Sequence, residues 1–273
     1  ERLGQLDVGY PLQEAYLQGV MAAIDAEAIR RQQYVLLIEA DTRFFPRFLS
    51  PLFDALGIRA EYGPIQEAAD RNAQMAVQIG KDGEQLRLVP AKGEPLSQEQ
   101  MMAIQLMACS VQHKRIGLPV SAPVELERLG QLLQIEVVRT KVSPRAMMEV
   151  AATAEFHPFH DAVYSLVQIL SYLAQEKKTL EGLLENLPVC HMEKQIVFCP
   201  WSSKGRVMRK MLEENKGKLL ELVDGIKVYD PNGWVLILPD NEDAHVKVIS
   251  QGATAKTAAT LASSYAKRIA EYQ

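Results

Sequence analysis

The segment of residues 224–243, with the sequence DGIKVYDPNGWVLILPDNED, restricts the possible folds of this chain more than any other stretch. Two β-prone runs, at residues 226–229 and 234–238, flank a Pro-Asn-Gly turn signal and predict a β-hairpin that ends in a polar loop. A further strand is expected at residues 246–249 and an Ala-rich helix from about Thr254 onward. With the helical segment that precedes it, this pattern predicts a compact α+β unit built on one antiparallel sheet.

Composition excludes several functional classes. Of the 273 residues, 48% are hydrophobic and 23% are charged, which is ordinary for a globular chain that could hold two or three domains. The net charge of −4 argues against a nucleic-acid partner, which would favour a basic face. No run of about 18 apolar residues and no signal-peptide pattern occurs, so no membrane partner is expected.

The cysteines and the first residue bear on the cellular setting. Cys109, Cys190 and Cys199 are odd in number and lack C-x-x-C spacing, so neither a disulfide scaffold nor a zinc site is expected, and a reducing cytoplasm is the predicted location. The chain opens on Glu1 rather than methionine. We therefore expect a piece of a longer polypeptide, whose N-terminal domains would be partners of this segment.

Strand-like and helix-like segments alternate in the first part of the chain. A single helix is predicted from Pro11 to about Arg31, and the compact apolar run at residues 34–38 is typical of a strand buried on both faces. A helix at residues 45–56 and a β-prone run at residues 59–62 follow. Strand, helix and strand in this order predict a βαβ unit with a parallel sheet.

A second pattern of the same kind begins at Ser97, which is a predicted helix cap. Strands are expected at residues 116–120 and 135–140, with a helix between them. The next helix has Pro144 in its first turn, where proline is well tolerated. A second α/β unit is therefore predicted.

Several motifs resemble those of the α-D-phosphohexomutases. D-G-I-K from Asp224 and G-W-V-L from Gly233 resemble the last domain of that family, in which the loop after the Trp strand reads roughly R-P-S-x-T-E-P and grips a sugar phosphate. V-R-T-K-V-S-P-R, which ends at Arg145, resembles R-T-x-V-G-D-R/K of the active cleft. Residues 155–161 lie where the family has G-E-x-S-G-H, which reads the sugar hydroxyls.

The resemblance extends over the whole length and covers the second, third and fourth domains of the family. It implies two consecutive α/β/α domains, at residues 1–95 and 96–190, followed by a smaller α+β domain at residues 191–273 with an antiparallel sheet and two helices. A hexose 1- or 6-phosphate is the implied ligand.

Candidate sugar-phosphate residues follow from the resemblance position by position. Arg145 corresponds to the basic residue of the cleft, although an exposed arginine in the first turn of a helix is an equally simple explanation. Glu155 and His157 correspond to the loop that reads hydroxyls. The alternative is that His160 and Asp161 merely start the next helix, where an acidic side chain favours the helix dipole.

The polar loop after the hairpin corresponds to the phosphate loop of the family and supplies the candidates Asp240 and Asn241. Phosphate requires positive charge, hydroxyl groups and free backbone N–H groups. This loop instead carries three carboxylates, on Asp240, Glu242 and Asp243. The scaffold resembles that of the family, but the chemistry of the loop does not.

Residues 80–85 lie where the family has D-G-D-x-D-R, whose three aspartates hold magnesium. Only Asp82 and Glu84 are acidic at the matching positions. Magnesium takes hard oxygen ligands and often only one or two protein carboxylates, so weak magnesium binding is one interpretation. The other is a solvated turn in which Gly83 supplies a positive φ and both acids face water.

F-H-P-x-x-D, C-P-W-x-x-K-G-R-V-M-R and W-V-L-x-L-P-D, which start at Phe156, Cys199 and Trp234, narrow the resemblance. They resemble the mutase-like C-terminal part of mannose-1-phosphate guanylyltransferase fusions. The T-A-S-H-N-P segment that carries the phosphoserine in mutases does not occur in this sequence. We therefore predict a mutase-like region, inactive as a fragment, that binds sugar phosphate or regulates a nucleotidyltransferase domain.

Two alternatives remain open at the level of sequence. The chain could be the last three domains of an active phosphomannomutase or phosphoglucomutase whose phosphoserine domain precedes it. It could also be a purely structural module without a ligand.

Overall fold

The computed structural model describes residues 12–41, 43–150 and 156–273 of the chain. They belong to two compact units, one formed by Glu1–His113 and Thr153–Leu187 and the other by Lys114–Ala152 and Pro188–Gln273. The predicted middle domain, residues 96–190, contributes to both units. The division into three domains stays a prediction.

Helices and strands are interspersed along the described residues. The helices are α1 (Leu12–Ala22), α2 (Ala26–Gln32), α3 (Phe45–Leu56), α4 (Gln98–Cys109), α5 (Val124–Leu132), α6 (Pro144–Val150), α7 (Ala162–Glu176), α8 (Leu180–Leu184), α9 (Trp201–Glu214) and α10 (Ala255–Glu271). The strands are β1 (Val35–Glu39), β2 (Arg59–Tyr62), β3 (Met75–Ile79), β4 (Leu86–Pro90), β5 (Arg115–Pro119), β6 (Glu136–Thr140), β7 (Met192–Phe198), β8 (Leu220–Glu221), β9 (Ile226–Asp230), β10 (Gly233–Pro239) and β11 (His245–Gly252).

The first unit contains a four-stranded sheet in the order β2-β1-β3-β4. Strand β1 is parallel to both β2 and β3, so the predicted βαβ unit is confirmed, while β3 and β4 form an antiparallel hairpin. The central strand is buried on both faces, because Leu36 and Ile38 join one apolar cluster and Leu37 joins another. A continuous apolar run is the expected sequence of such a strand.

The prediction of one helix from Pro11 to Arg31 is wrong. The described part of that segment forms two helices, α1 and α2, separated at Asp25. The Asp25 carboxylate accepts a hydrogen bond from the backbone N–H of Ala28 at 2.9 Å and caps α2. Aspartate competes for nearby backbone N–H groups in this way, and it therefore favours the start of a helix over the interior.

The second unit contains a parallel pair of strands, β5 and β6, and a five-stranded antiparallel sheet in the order β7-β11-β10-β9-β8. The hairpin predicted at residues 226–238 is confirmed as β9 and β10. Helices α9 and α10 supply Val207, Met211 and Tyr265 to the same apolar cluster as Val235 and other sheet residues. The fold class predicted from the sequence, α/β followed by a smaller antiparallel α+β region with two helices, is confirmed.

Strand β8 was not predicted from the sequence. Its two residues pair with β9, and two residues are too few to show an alternating pattern. Among the described residues, no helix combines the length and the apolar character needed to cross a bilayer.

Candidate functional site

Polar side chains of the first unit follow the carboxyl ends of β1 and β3, which lie at the same edge of the sheet because the two strands are parallel. Asp41, after β1, accepts two side-chain hydrogen bonds from Arg43, at 3.2 and 3.0 Å. These bonds lower the pKa of Asp41 to about 2, with a smaller contribution from Lys81. Asp41 is thus a carboxylate that is already paired within its own loop.

Asp82 and Glu84 lie in the turn between β3 and β4. The Asp82 carboxylate accepts the backbone N–H of Glu84 at 3.0 Å, and Gly83 has a φ of 76°. A short acid that bonds the backbone two residues on stabilises the turn itself. The turn therefore matches the solvated-loop interpretation for Asp82, while the Glu84 side chain is exposed.

Magnesium fits the donor type of this turn but not its number of donors. No group of three His, Cys, Asp or Glu side chains that could hold a metal occurs among the described residues. Asp82 and Glu84 offer at most two carboxylates, so water or phosphate oxygens would have to complete an octahedral shell. Magnesium binding by these two residues stays a prediction.

The start of α7 packs against this turn, because the backbone N–H of Ala162 donates to the carbonyl oxygen of Gly83 at 2.9 Å. Asp161 caps α7 by accepting the N–H of Tyr164 at 2.9 Å, and it also accepts the hydroxyl of Tyr16 at 2.7 Å. Burial raises the pKa of Asp161. Asp161 is therefore engaged in local structure, as the helix-start interpretation expects.

His157 and His160 lie side by side ahead of α7, with ring centroids 5.0 Å apart. His157 is buried, and its Nδ1 accepts the backbone N–H of Phe159 at 3.2 Å, so a neutral His157 carries its proton on Nε2. Burial lowers the pKa of His160, and Glu84 opposes that shift. The first unit thus brings the predicted residues Asp82, Glu84 and His157 to loops that are in contact, and Glu155 lies outside the described residues.

Arg145 begins the short helix α6 of the second unit. Its side chain is 89% exposed and forms an ion pair with Glu149 at 2.9 Å, one helical turn further on. The guanidinium can exchange this pair for another anion at little cost, because exposed ion pairs contribute at most about 1 kcal/mol. A role for Arg145 in ligand binding stays a prediction.

The loop between β10 and β11 closes around the carboxylate of Asp240. One carboxylate oxygen accepts the backbone N–H groups of Glu242 and Asp243, at 2.9 and 3.2 Å. The other lies 2.6 Å from the ammonium of Lys247. This bond is the largest single cause that holds the pKa of Asp240 well below its ordinary value, followed by the bonds from the two N–H groups. Asn241 is exposed at the tip of the loop.

Lys204 of α9 stabilises the same loop from the other side. Its ammonium donates to the carbonyl oxygens of Asp240 and Asp243 and lies 3.5 Å from the ring centroid of Trp201. Sequence reasoning missed this contact, because Lys204 belongs to a basic run typical of a solvated helix face and its partner Asp240 is 36 residues away. No local pattern joins the two.

We expect Lys204→Met to lower the free energy of unfolding by about 1 to 3 kcal/mol, because it removes two charge-assisted hydrogen bonds and leaves two carbonyl groups without their donor. Lys210→Met is the matched control, since Lys210 is exposed on the same helix. Urea unfolding of both variants measures the difference. Equal losses in the two would show that the Lys204 contacts do not stabilise the loop.

Several known proteins are similar to this chain in sequence. No protein-family model matches the chain. It is 27% identical over 203 residues to the "Probable phosphoglucosamine mutase" of Methanosarcina barkeri, an alignment that covers 67% of this chain and 45% of the relative. It is 25% identical over 192 residues to the phosphoglucosamine mutase of Methanocaldococcus jannaschii, with 62% of this chain and 43% of the relative covered. The chain thus spans less than half the length of either relative.

Solved structures show the same fold at lower identity. A phosphoglucomutase/phosphomannomutase family protein of Burkholderia thailandensis matches 96% of this chain and 65% of its own with a TM-score of 0.75 and 15% identity. The N-acetylphosphoglucosamine mutase of Aspergillus fumigatus, solved with GlcNAc-6P and magnesium, matches 98% of this chain and 67% of its own with a TM-score of 0.66 and 11% identity. The chain is thus similar in sequence to phosphoglucosamine mutases, and its fold matches that of solved phosphohexomutase structures.

Proposed function

We propose that this chain is the phosphohexomutase-like part of a sugar-phosphate nucleotidyltransferase, similar to the mannose-1-phosphate guanylyltransferase fusions, and that it binds a hexose phosphate without catalysing the mutase reaction as a fragment. Its relatives are named as phosphoglucosamine mutases, and one structural neighbour was solved with GlcNAc-6P. A hexose or hexosamine phosphate is therefore the ligand class to test.

The proposed absence of mutase activity rests mainly on the hydrogen bonds of the Asp240 carboxylate. It accepts the two backbone N–H groups of its loop, at 2.9 and 3.2 Å, and such paired N–H groups are what an anion would otherwise bind. A phosphate that entered this loop would have to displace an internal carboxylate and would meet its negative charge. In the resembled family this loop binds phosphate. Here its N–H groups are already hydrogen-bonded to a carboxylate of the same loop.

Arg145 is the residue that we propose to contact the phosphate. Its guanidinium is exposed and always charged, and its fork of donors suits phosphate oxygens. Glu155 and His157 remain the predicted contacts of the sugar hydroxyls, and Asn241 is a further candidate. Magnesium, if held by Asp82 and Glu84, would supply positive charge toward phosphate oxygens.

A second candidate is an active phosphohexomutase whose phosphoserine domain lies in another part of the polypeptide. The names of the sequence relatives favour it. A mutase needs a positioned nucleophile and strong electrostatic stabilisation of the phosphate in transfer. Hexose-phosphate isomerisation by the complete polypeptide, followed by coupled assay, would favour this candidate, and its absence together with nucleotidyltransferase activity would favour the first.

Thermal melting with hexose phosphates tests binding directly. A ligand at about one hundred times its Kd should stabilise the native state by about 2.7 kcal/mol, which corresponds to a rise in Tm of roughly 5 to 10 °C. Glucosamine, mannose and glucose phosphates, each as the 1- and the 6-isomer and with and without magnesium, are the probes. No rise with any of them would favour a structural module without a ligand.

Arg145→Ala should abolish the rise in Tm while leaving the Tm of the free protein nearly unchanged, because the side chain is exposed. Arg47→Ala is the control, since Arg47 is also an exposed helical arginine. Equal ligand-induced shifts in the two variants would contradict the proposed contact between Arg145 and phosphate.

A further inference from the structure

The D-G-I-K motif of the second unit contacts the ends of both parallel strands, β5 and β6. Asp224, the first residue of the motif, accepts the backbone N–H of Val142, just after β6, at 2.9 Å. Lys227, the last, donates to the carbonyl oxygen of Val120, just after β5, at 2.8 Å. Two charged side chains at the start of β9 therefore reach the carboxyl ends of both β5 and β6.

Lys227 is fully buried in this contact. Its side chain is 0% exposed, and its ammonium lies 4.0 Å from the ring centroid of Trp234 and 5.5 Å from that of Tyr229. Glu221 of β8 approaches to 3.9 Å, which is too long for a hydrogen bond. The carbonyl oxygen of Val120 is thus the hydrogen-bond acceptor closest to the charge among the contacts of the described residues.

Arg139 of β6 holds the same strand end from another direction. Its guanidinium donates to the carbonyl oxygens of Val120 and Ala122, at 3.2 and 2.9 Å, and pairs with Glu127 of α5. The segment after β5 is therefore bound by two cations. A carbonyl oxygen has two lone pairs, so Val120 can accept from both Arg139 and Lys227.

Burial of the Lys227 ammonium in its charged form costs folding free energy. Burial lowers the pKa of Lys227 to about 8, Arg139 shifts it in the same direction, and Glu221 and Glu127 oppose the shift. Between about pH 8 and the ordinary lysine value near 10.4, the unfolded chain binds more protons, so Lys227 makes the fold more stable as pH rises. The charged form at neutral pH costs stability, which points to a role in positioning rather than in stability.

We propose that Asp224 and Lys227 are positioning residues that hold the carboxyl ends of β5 and β6 on the antiparallel sheet, and with them the segment at residues 141–145 that carries Arg145. The consequence of this positioning for ligand binding rests on the function proposed above for Arg145. The positioning itself is measured without any ligand, so the two proposals can fail separately.

Hydrogen exchange of the Val142 amide tests the part played by Asp224. Asp224→Ala removes the acceptor and should speed exchange of that amide about tenfold, the equivalent of one lost hydrogen bond. Asp224→Asn retains a side-chain oxygen acceptor and should restore slow exchange. Asp230→Ala, at the far end of β9, is the control and should leave the Val142 amide unchanged. An unchanged rate in Asp224→Ala, or no rescue by asparagine, overturns the proposal.

Fluorescence of Trp234 tests the part played by Lys227. The chain has two tryptophans, so Trp201→Phe leaves Trp234 as the sole reporter, 4.0 Å from the ammonium. Emission should change with a midpoint near pH 8 on titration from about pH 6.5 to about pH 9.5. Lys227→Met in the same background should abolish the transition, and Lys218→Met should retain it. A flat profile in the Trp201→Phe protein, or the same transition in Lys227→Met, overturns the proposal.

Ligand affinity of the Asp224 variants separates the positioning proposal from the proposed function. Asp224→Ala should lower the affinity for inorganic phosphate or for the hexose phosphate that raises the Tm, while Asp224→Asn should retain it. If no sugar phosphate binds the unaltered protein, the proposed function fails, but the exchange and fluorescence results still decide the positioning role. Faster exchange in Asp224→Ala that asparagine reverses, with no change in affinity, would confine the role of Asp224 to the strand ends.

Discussion

Replacement of Trp234 by alanine should lower the free energy of unfolding by about 3 to 5 kcal/mol, the range typical of a buried aromatic side chain cut back to alanine. The ring is only 2% exposed and packs with Val120, Leu236 and Ile249 in one cluster. Its indole N–H also donates to Gln251 at 2.7 Å, so the substitution leaves a buried acceptor without that donor as well as a cavity.

Trp201→Ala is the matched control for this loss. Trp201 is 55% exposed and contacts the ammonium of Lys204 through its ring face, so its removal should cost no more than about 1 kcal/mol. Urea unfolding followed by far-ultraviolet circular dichroism compares the two variants without relying on tryptophan emission. Similar losses in both would mean that Trp234 does not support the core of the second unit.

Gly225→Ala should be nearly as harmful, with a loss of about 2 to 4 kcal/mol. Gly225 has a φ of +68°, and a Cβ at this position would overlap the backbone carbonyl oxygen of Ile237. A left-handed conformation costs a residue other than glycine about 1 to 3 kcal/mol, and forcing extra atoms into a packed site adds a cost of similar size. At position 225, no residue with a side chain fits without displacing β10.

Gly205→Ala should have the opposite sign. Gly205 lies inside α9, and apart from its chain neighbours and the adjacent backbone of its own helix, a Cβ there would meet no atom of the described residues within 4 Å. Alanine is better than glycine in a helix interior by about 0.5 to 1 kcal/mol, so this variant should be more stable than the unaltered protein. Chemical denaturation of both glycine variants gives the comparison. A gain at both positions would contradict the backbone conformation assigned to Gly225.

Much of the fold could be predicted from short stretches of sequence. The apolar run ending at Ile38, the helix closed by Gly57 and the hairpin on either side of residues 231–233 all formed as expected. These elements depend on local periodicity, on caps and on turn residues, whose effects act within a few positions. Asp25 is the informative exception, because its cap broke a helix that the apolar pattern alone would have continued.

The candidate site was less predictable, because the same residue type serves opposite purposes in different surroundings. Asp82 and Asp240 were singled out as possible ligand contacts, yet the Asp82 carboxylate accepts one backbone N–H group of its own loop and the Asp240 carboxylate accepts two. Lys204 belonged to a run that favoured a solvated face, yet its ammonium is bonded to the loop of Asp240. In each case the outcome depended on which neighbour supplied the hydrogen-bond partner.

Local sequence was sufficient for most strands, most helices and the mixed α/β class, because hydrophobic period and turn chemistry are encoded over a few residues. Tertiary structure alone decided what the charges do. The acceptor for Lys227 is 107 residues away in the chain, and the N–H group that donates to Asp224 is 82 residues away. Burial of a charge is tolerated only where such partners converge, and convergence is a property of the folded molecule that no window of sequence contains.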